Sequence, residues 1–212
     1  VRLGAVSGAQ GLPPAQRWQI LQQLLADPLR SIRFAATMAL GDLYPQLATQ
    51  QQRQLQKALL ALLQALEVDA DRAEALSLRA LLHLHMGQTN TAEKHLLRAL
   101  TLNPQWVPGL INLADIYRLQ GRDQEAGVLL DRALALADDS ANVVIAKALW
   151  LVRQGLLDKA LVLLGSRFQQ QPDARLTYIY AIALNSSGES ARALEVIDQA
   201  VTQELTPGPW LQ

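Results

Sequence analysis

Cysteine is absent from the 212 residues, and aromatic residues make up only 5% of them. Without a thiol the chain can form no disulfide, no thiolate nucleophile and no cysteine-ligated zinc site. Cysteine content therefore does not indicate whether the protein works in an oxidising or a reducing compartment. Neither sign of charge is in excess, because 19 basic residues offset 19 acidic ones. This balance argues against nucleic acid or an anionic membrane surface as the partner.

Long apolar runs and targeting signals are also missing. No apolar stretch approaches the roughly 20 residues of a membrane span, so we expect no membrane insertion. The N-terminus lacks the charged and apolar regions of a signal peptide, and the chain begins with Val1 rather than Met. We therefore expect a piece of a longer or processed protein.

What is present favours helices. Half of the residues are hydrophobic, and Leu, Ala and Gln are abundant. From Val107 to Asp138, apolar side chains recur at spacings of three and four residues on both sides of Gly121, which predicts two helices joined by a turn. The turn needs a residue whose backbone is free of side-chain constraint. A hairpin this short cannot bury its apolar stripes alone, so it needs neighbours of the same kind.

Columns of small residues repeat along the chain at spacings of 34, 34 and 33 residues. The columns are Gly87, Gly121, Gly155 and Gly188; Ala80, Ala114, Ala148 and Ala181; Ala92, Ala126, Ala160 and Ala193; and Ala99, Ala133 and Ala200. Pro104 and Pro172 close two of the units. This pattern resembles the tetratricopeptide repeat (TPR), with small residues in both helices, Gly at the turn and Pro at the exit. The resemblance implies four repeats, at 73–106, 107–140, 141–173 and 174–207, and a tail at 208–212.

The first 72 residues differ from the repeats. Residues 1–45 predict helices with a break at Asp27–Pro28, where proline suits the first turn of the next helix. This segment resembles a HEAT repeat, with its first unit truncated. Residues 46–72 predict a Gln-rich bridging helix that resembles helix B of a degenerate repeat. The predicted fold is all-α: a right-handed α-solenoid of helix-turn-helix repeats.

The TPR resemblance implies a partner-binding groove lined by the first helix of each repeat. By the period, the lining residues are Ser77, Leu81, Leu84, Ile111, Asp115, Arg118, Ile145, Leu149, Val152, Tyr178, Ile182 and Asn185, with Glu74, His85, Pro108, Leu119, Asn142, Arg153, Arg175 and Ser186 at further groove positions. The centre of this set is apolar and its border is polar, which suits a helix or an extended apolar segment of another protein. Periodicity alone leaves open that some of these side chains pack between adjacent helices.

Other motifs argue against catalysis. The Lys and Asn positions of the TPR variant that clamps C-terminal carboxylates carry other residues here. Neither a metal-binding HExxH motif, a nucleophile elbow nor a glycine-rich phosphate loop occurs, so we expect no enzyme activity, cofactor or metal. Arg79 and Lys147 stand where the repeat usually has a large apolar residue. We expect their aliphatic stems to pack while their charged ends reach water.

The sequence therefore predicts a protein-protein interaction scaffold that holds a protein or peptide segment, or another domain of its own polypeptide. The order of the segments, and the phrases LADPLRSIR, VPGLINLADIYRLQGR and YIYAIALN, resemble the C-terminal region of bacterial TPR-containing multihaem c-type cytochromes. That resemblance implies export to the periplasm. Two alternatives remain: a free-standing periplasmic assembly factor that binds peptide segments of a client, and a structural module that forms a homo-oligomer through its uncapped C-terminal end.

Overall fold

The computed structural model of the chain describes residues 2–171 and 173–205, and these form helices and connecting loops without a β-strand. Its N-terminal part comprises α1 (Arg2–Ala9), α2 (Pro14–Leu21), a 3-10 helix (Gln22–Ala26), α3 (Arg30–Leu40), a second 3-10 helix (Gly41–Gln46) and α4 (Thr49–Ala65). The helices that follow are α5 (Ala73–His85), α6 (Thr89–Leu102), α7 (Val107–Leu119), α8 (Asp123–Leu136), α9 (Ala141–Arg153), α10 (Leu157–Gln170), α11 (Ala174–Ser186) and α12 (Ser190–Leu205). The prediction of an all-α fold is confirmed for this part of the chain. The predicted tail at 208–212 and the exit residue Pro172 lie outside the described residues.

The chain divides into two compact units, residues 1–109 and 110–212, and each is described by itself. In the first unit, α3 packs against α1 and α4, while α5 packs against α6 and the second 3-10 helix. In the second unit, consecutive helices from α8 to α12 pack against each other, and α9 also contacts α11. Within the described ranges, no helix has the length and apolar character needed to cross a bilayer.

A glycine lies in the turn of each of the four helix pairs from α5 to α12, as the sequence predicts. Gly121 has a φ of 75°, in the left-handed region that side chains disfavour. The Arg122 amide donates to the Tyr117 carbonyl (2.8 Å), and the Gly121 amide donates to the Arg118 carbonyl (3.1 Å). Equivalent pairs of hydrogen bonds close the turns at Gly87, Gly155 and Gly188. Each pair satisfies carbonyls that a helix end would otherwise leave without a partner.

Small residues lie where the helices approach each other. The repeating alanines are buried in both units except Ala200, which is half-buried; the buried ones are Ala80, Ala92, Ala99, Ala114, Ala126, Ala133, Ala148, Ala160, Ala181 and Ala193. Larger apolar side chains fill the space between them. In the second unit, Leu164 of α10 shares a core cluster with Leu176 and Tyr180 of α11. The periodic small residues therefore mark the packed seams, as the spacing indicates.

Asp27 organises the N-terminal segment, a role that the sequence pattern does not reveal. Its buried carboxylate forms an ion pair with Arg2 (2.8 Å) and accepts the Leu29 amide (2.9 Å). Its backbone carbonyl accepts a hydrogen bond from Arg33 (2.7 Å). The chain break lies at Asp27–Pro28 as predicted, but α3 begins only at Arg30, so Pro28 precedes the helix instead of occupying its first turn. The turn formed by Asp27 and Leu29 accounts for this difference, because it holds Pro28 outside the helix.

Candidate partner-binding face

The predicted groove residues of the first unit have little free surface. Ser77 is buried, and its hydroxyl accepts a hydrogen bond from the indole Nε1 of Trp106 (2.8 Å). Leu81 and Leu84 are half-buried. The His85 ring lies directly over Gly41, so that a Cβ there would overlap the imidazole. The N-terminal segment thus covers the end of α5. Ser77 offers little surface to a partner because its hydroxyl is bonded to Trp106, and its place in a groove stays a prediction.

In the second unit, two predicted apolar groove residues face inward to different degrees. Ile145 of α9 is 2% exposed and belongs to the core cluster that contains Leu176 and Tyr180. Ile111 of α7 is half-buried. The side chain of Ile145 thus packs between α9 and its neighbours, a location that the period alone also allows, and its contact with a partner stays a prediction.

Four predicted groove residues of the second unit do offer apolar surface to solvent. Leu149 and Val152 of α9 are 40% and 42% exposed, and Tyr178 and Ile182 of α11 are 64% and 46% exposed. The spacings of three and four residues place each pair on one face of its helix. We call these four residues the apolar band. Clustered exposure of large apolar side chains is typical of a contact surface for another protein.

A side-chain hydrogen bond joins the first turns of α9 and α11, the two helices of the apolar band. The guanidinium of Arg175, the second residue of α11, donates to the side-chain oxygen of Asn142, the second residue of α9 (3.0 Å). The two helices therefore begin next to each other and are in contact. Asn185, near the end of α11, accepts a hydrogen bond from Ser190 (2.8 Å). The Asn185 amide is the polar group that borders the apolar band at the C-terminal end of α11.

Arginine side chains border the apolar band at the ends of α7 and α9. The Nε of Arg118 lies 2.7 Å from the carboxylate of the exposed Asp115. Burial lowers the pKa of the Arg153 guanidinium, and the positive charge of Arg118 lowers it further, whereas Asp123 and Asp115 act in the opposite direction. Two positive groups thus act on each other at this border, and neighbouring carboxylates compensate them only in part.

The unusual charges inside the repeats have structural partners. The Lys147 ammonium forms an ion pair with Asp131 of α8 (2.6 Å) and lies 4.0 Å from the centre of the Trp150 ring. The indole of Trp150 donates to the Asp123 carbonyl (2.8 Å). In the first unit, Arg79 forms an ion pair with Glu67. Both stems are largely buried, as expected. The Lys147 side chain is only 8% exposed, however, so its charged end pairs with Asp131 instead of reaching open water as predicted.

The histidines form a contact that sequence spacing does not reveal. The rings of His83 on α5 and His95 on α6 stack with 5.1 Å between their centroids. Nδ1 of His83 lies 2.6 Å from the Gln88 side-chain oxygen. The spacing of His83 and His95 in the sequence does not predict this stack, because it arises only when α5 packs on α6. Over the described part of the chain, no group of three or more His, Cys, Asp or Glu residues is placed to hold a metal ion.

Comparison with known proteins identifies the repeat and the fold. Residues 73–105 match the family model of the tetratricopeptide repeat. No curated protein matches the sequence significantly. Solved structures do match, although at 20–21% identity they establish the fold alone.

Three of these structures show the extent of the likeness. A tetratricopeptide repeat protein from Parabacteroides merdae ATCC 43184 is 21% identical, with a TM-score of 0.57 over 89% of this chain and 71% of that chain. TTC0263, a thermophilic TPR protein in Thermus thermophilus, is 20% identical, with a TM-score of 0.57 over 87% and 99% of the two chains. YrrB, a TPR protein with an unusual peptide-binding site, is 20% identical, with a TM-score of 0.50 over 79% and 84%. The chain therefore contains a tetratricopeptide repeat at residues 73–105 and has the fold of tetratricopeptide-repeat proteins.

Proposed function

We propose that the chain is a protein-interaction scaffold that receives a peptide segment of a partner on the apolar band. The observation that carries this proposal is the exposure of Leu149, Val152, Tyr178 and Ile182 on adjoining helices. Burying such side chains against a partner removes apolar surface from water, which is the main favourable term in association. Their polar border, with Asn142 and Asn185, can satisfy backbone groups of a bound segment.

A peptide selection followed by calorimetry tests the proposal. Peptides selected from a phage-displayed library against the wild-type chain are expected to bind it and to lose at least about tenfold in affinity on Ile182→Asp. The matched control is Val162→Asp, because Val162 is an exposed apolar residue of α10 that lies outside the apolar band. Peptides that bind both variants with equal affinity would exclude the band as the binding surface.

We propose further that the parent protein is an exported, periplasmic multihaem cytochrome-type protein, in which this chain holds another domain of the same polypeptide. The support is the resemblance of the three sequence phrases, together with the helices α2 and α3 on either side of the Asp27–Pro28 break, which suit a HEAT-like lead-in. The full open reading frame tests this proposal. Haem-attachment motifs upstream of Val1 would support it, and a start codon immediately before Val1 would refute it.

The assembly-factor alternative makes a different prediction for the same surface. A free-standing assembly factor binds segments of a separate client, whereas a scaffold inside a larger protein has its surface occupied by its own polypeptide. Calorimetric titration with candidate client peptides separates the two. Measurable affinity for these client peptides favours the assembly factor. Absence of affinity for them, while peptides selected from the library do bind, favours docking within one polypeptide.

A second candidate function is self-association through α12. Ile197 of α12 is 41% exposed, whereas the equivalent residues Leu130 and Leu164 of the preceding repeats are 3% and 0% exposed. Leu164 is covered by α11, the first helix of the next repeat. Leu194 and Val201 extend the exposed stripe along α12 at helical spacing. We propose that a second copy of the chain covers this stripe.

A further inference from the structure

We propose that the segment bound by the apolar band is acidic, with carboxylates that meet Arg153 and Arg118 at one end of the band and Arg175 at the other. This inference rests on the proposed function, since it names the chemical class of the partner for that same surface. Its support comes from the charges of α7, α9 and α11, from the pairing of each charge and from the position of the unpaired groups.

Basic residues predominate on the helices that border the band. The sequences of α7, α9 and α11 contain Arg118, Lys147, Arg153 and Arg175 but only one acidic residue, Asp115. The chain as a whole carries 19 basic and 19 acidic residues, so this excess is local. A local excess of one sign attracts a partner of the opposite sign and repels one of the same sign.

Two of the four basic side chains, Lys147 and Arg118, form ion pairs with carboxylates of the chain itself. Lys147 is buried and turns toward α8, where it pairs with Asp131. Arg118 pairs with Asp115 in an exposed contact between residues three apart on α7. Pairs of this kind contribute little, because water competes for both groups. Arg118 can therefore exchange Asp115 for a carboxylate of a partner at small cost.

Arg153 and Arg175 have no ion pair with any carboxylate among the described residues. Arg175 donates to the neutral side chain of Asn142, a contact that does not compensate its charge. Arg153 is exposed in the last turn of α9 and follows directly after Val152 of the apolar band. A guanidinium offers several donors in a fixed plane, a geometry that matches a carboxylate.

Favourable interaction with a helix C-terminus is the competing explanation for the arginines in the last turns of α7 and α9. This explanation does not apply to Arg175, because Arg175 lies in the first turn of α11, where a positive charge is disfavoured. Burial lowers the pKa of Arg153, and the positive charge of Arg118 lowers it further. A carboxylate supplied by a partner would offset the repulsion between these two arginines.

The distance between the two ends of the band sets the spacing of the acidic groups. Asn142 and Arg153 are separated by eleven residues of α9, which corresponds to about 16 Å along the helix. An extended segment covers this distance with about five residues, and a helical segment with about eleven. The expected partner therefore carries apolar side chains between acidic residues at one of these spacings.

The test uses a phage-displayed library of random 16-residue peptides selected against the wild-type chain, Arg153→Glu and Arg175→Glu. We expect wild-type selections to be enriched in Asp and Glu on both sides of apolar residues. Each charge-reversal variant should shift the enrichment toward Lys and Arg. Synthetic versions of a selected peptide with Glu replaced by Gln are expected to bind at least about fivefold more weakly. Lys159→Glu, at an exposed position of α10 outside the band, is the matched control and should leave the selection unchanged.

The outcomes separate this inference from the function on which it rests. Peptides without a charge preference that still lose affinity on Ile182→Asp would overturn the acidic partner and preserve the scaffold. Absence of any enriched peptide, or peptides indifferent to Ile182→Asp, would overturn both. Circular dichroism of each variant excludes unfolding as the cause, and agreement between Arg153→Glu and Arg175→Glu guards against a defect in either one.

Discussion

At the scale of single residues, Gly121 shows how the backbone requirement of a turn becomes a stability effect. Its φ of 75° places an added Cβ in conflict with its own backbone, although no other atom lies within 4 Å of that position. We expect Gly121→Ala to destabilise the chain by about 1–2 kcal/mol. Urea denaturation measures this change.

The matched control is Gly8→Ala in α1. A Cβ there also meets nothing within 4 Å, but the backbone is helical. Alanine at this position should be neutral or stabilising by up to about 1 kcal/mol. Equal effects at the two positions would contradict the explanation based on backbone conformation.

Ile145 and Ile182 test the separation of core from surface within one unit. Ile145→Asp places a carboxylate in the core cluster and should cost more than about 3 kcal/mol. Ile182→Asp changes an exposed side chain, so the free energy of unfolding should move by less than about 1 kcal/mol. Thermal melting of the two variants gives the comparison. A small effect at Ile145 would favour a contact role over a core role.

At the scale of elements, the α5–α6 hairpin should respond to pH. Burial lowers the pKa of His95, and the charges of Arg79, His83 and Arg98 lower it further, while Glu67 opposes them. Burial also lowers the pKa of His85, against the opposing effect of Asp42. Below the ordinary value of 6.5 the unfolded chain therefore binds more protons than the folded chain. Stability should be fully present above that pH and decline as the pH falls below it.

Urea midpoints at about pH 7.5 and pH 5.5 check this expectation, with a lower midpoint predicted at the acidic pH. His95→Gln removes one titrating group and should reduce the difference between the two midpoints. A midpoint that stays constant or rises on acidification would show that protonation of these rings does not oppose folding.

At the scale of the whole molecule, we expect self-association that depends on concentration and resists salt. The apolar stripe of α12 provides the contact, and a chain without net charge has little repulsion to overcome. Sedimentation velocity over a range of concentrations should show a dimer that Ile197→Asp abolishes. Val128→Asp, at an exposed position of α8, should leave the dimer intact. A strictly monomeric wild-type chain at high concentration would remove this candidate function.

Some features could be predicted because they depend on neighbours in the sequence. The glycine turns follow from a local backbone conformation, and the buried alanines follow from the distance between packed helices. The burial of Ser77 and Ile145 could not be predicted, because the period places them on the predicted lining side without showing what covers it. The divisions at 1–45, 46–72 and 73–207 stay predictions, as does the remainder of the groove.

The sequence by itself determined the helix pairs, their turns and the positions of the small residues between them, because each of these depends on spacing within about 34 residues. Only the tertiary structure decided which apolar side chains remain in water. Asp27 joining Arg2 and Arg33, His83 stacking on His95, and Ile197 exposed where Leu164 is buried all depend on the element packed alongside. A repeated sequence gives equivalent residues the same local geometry, but their surroundings differ wherever the neighbouring repeat differs or is absent from the described chain.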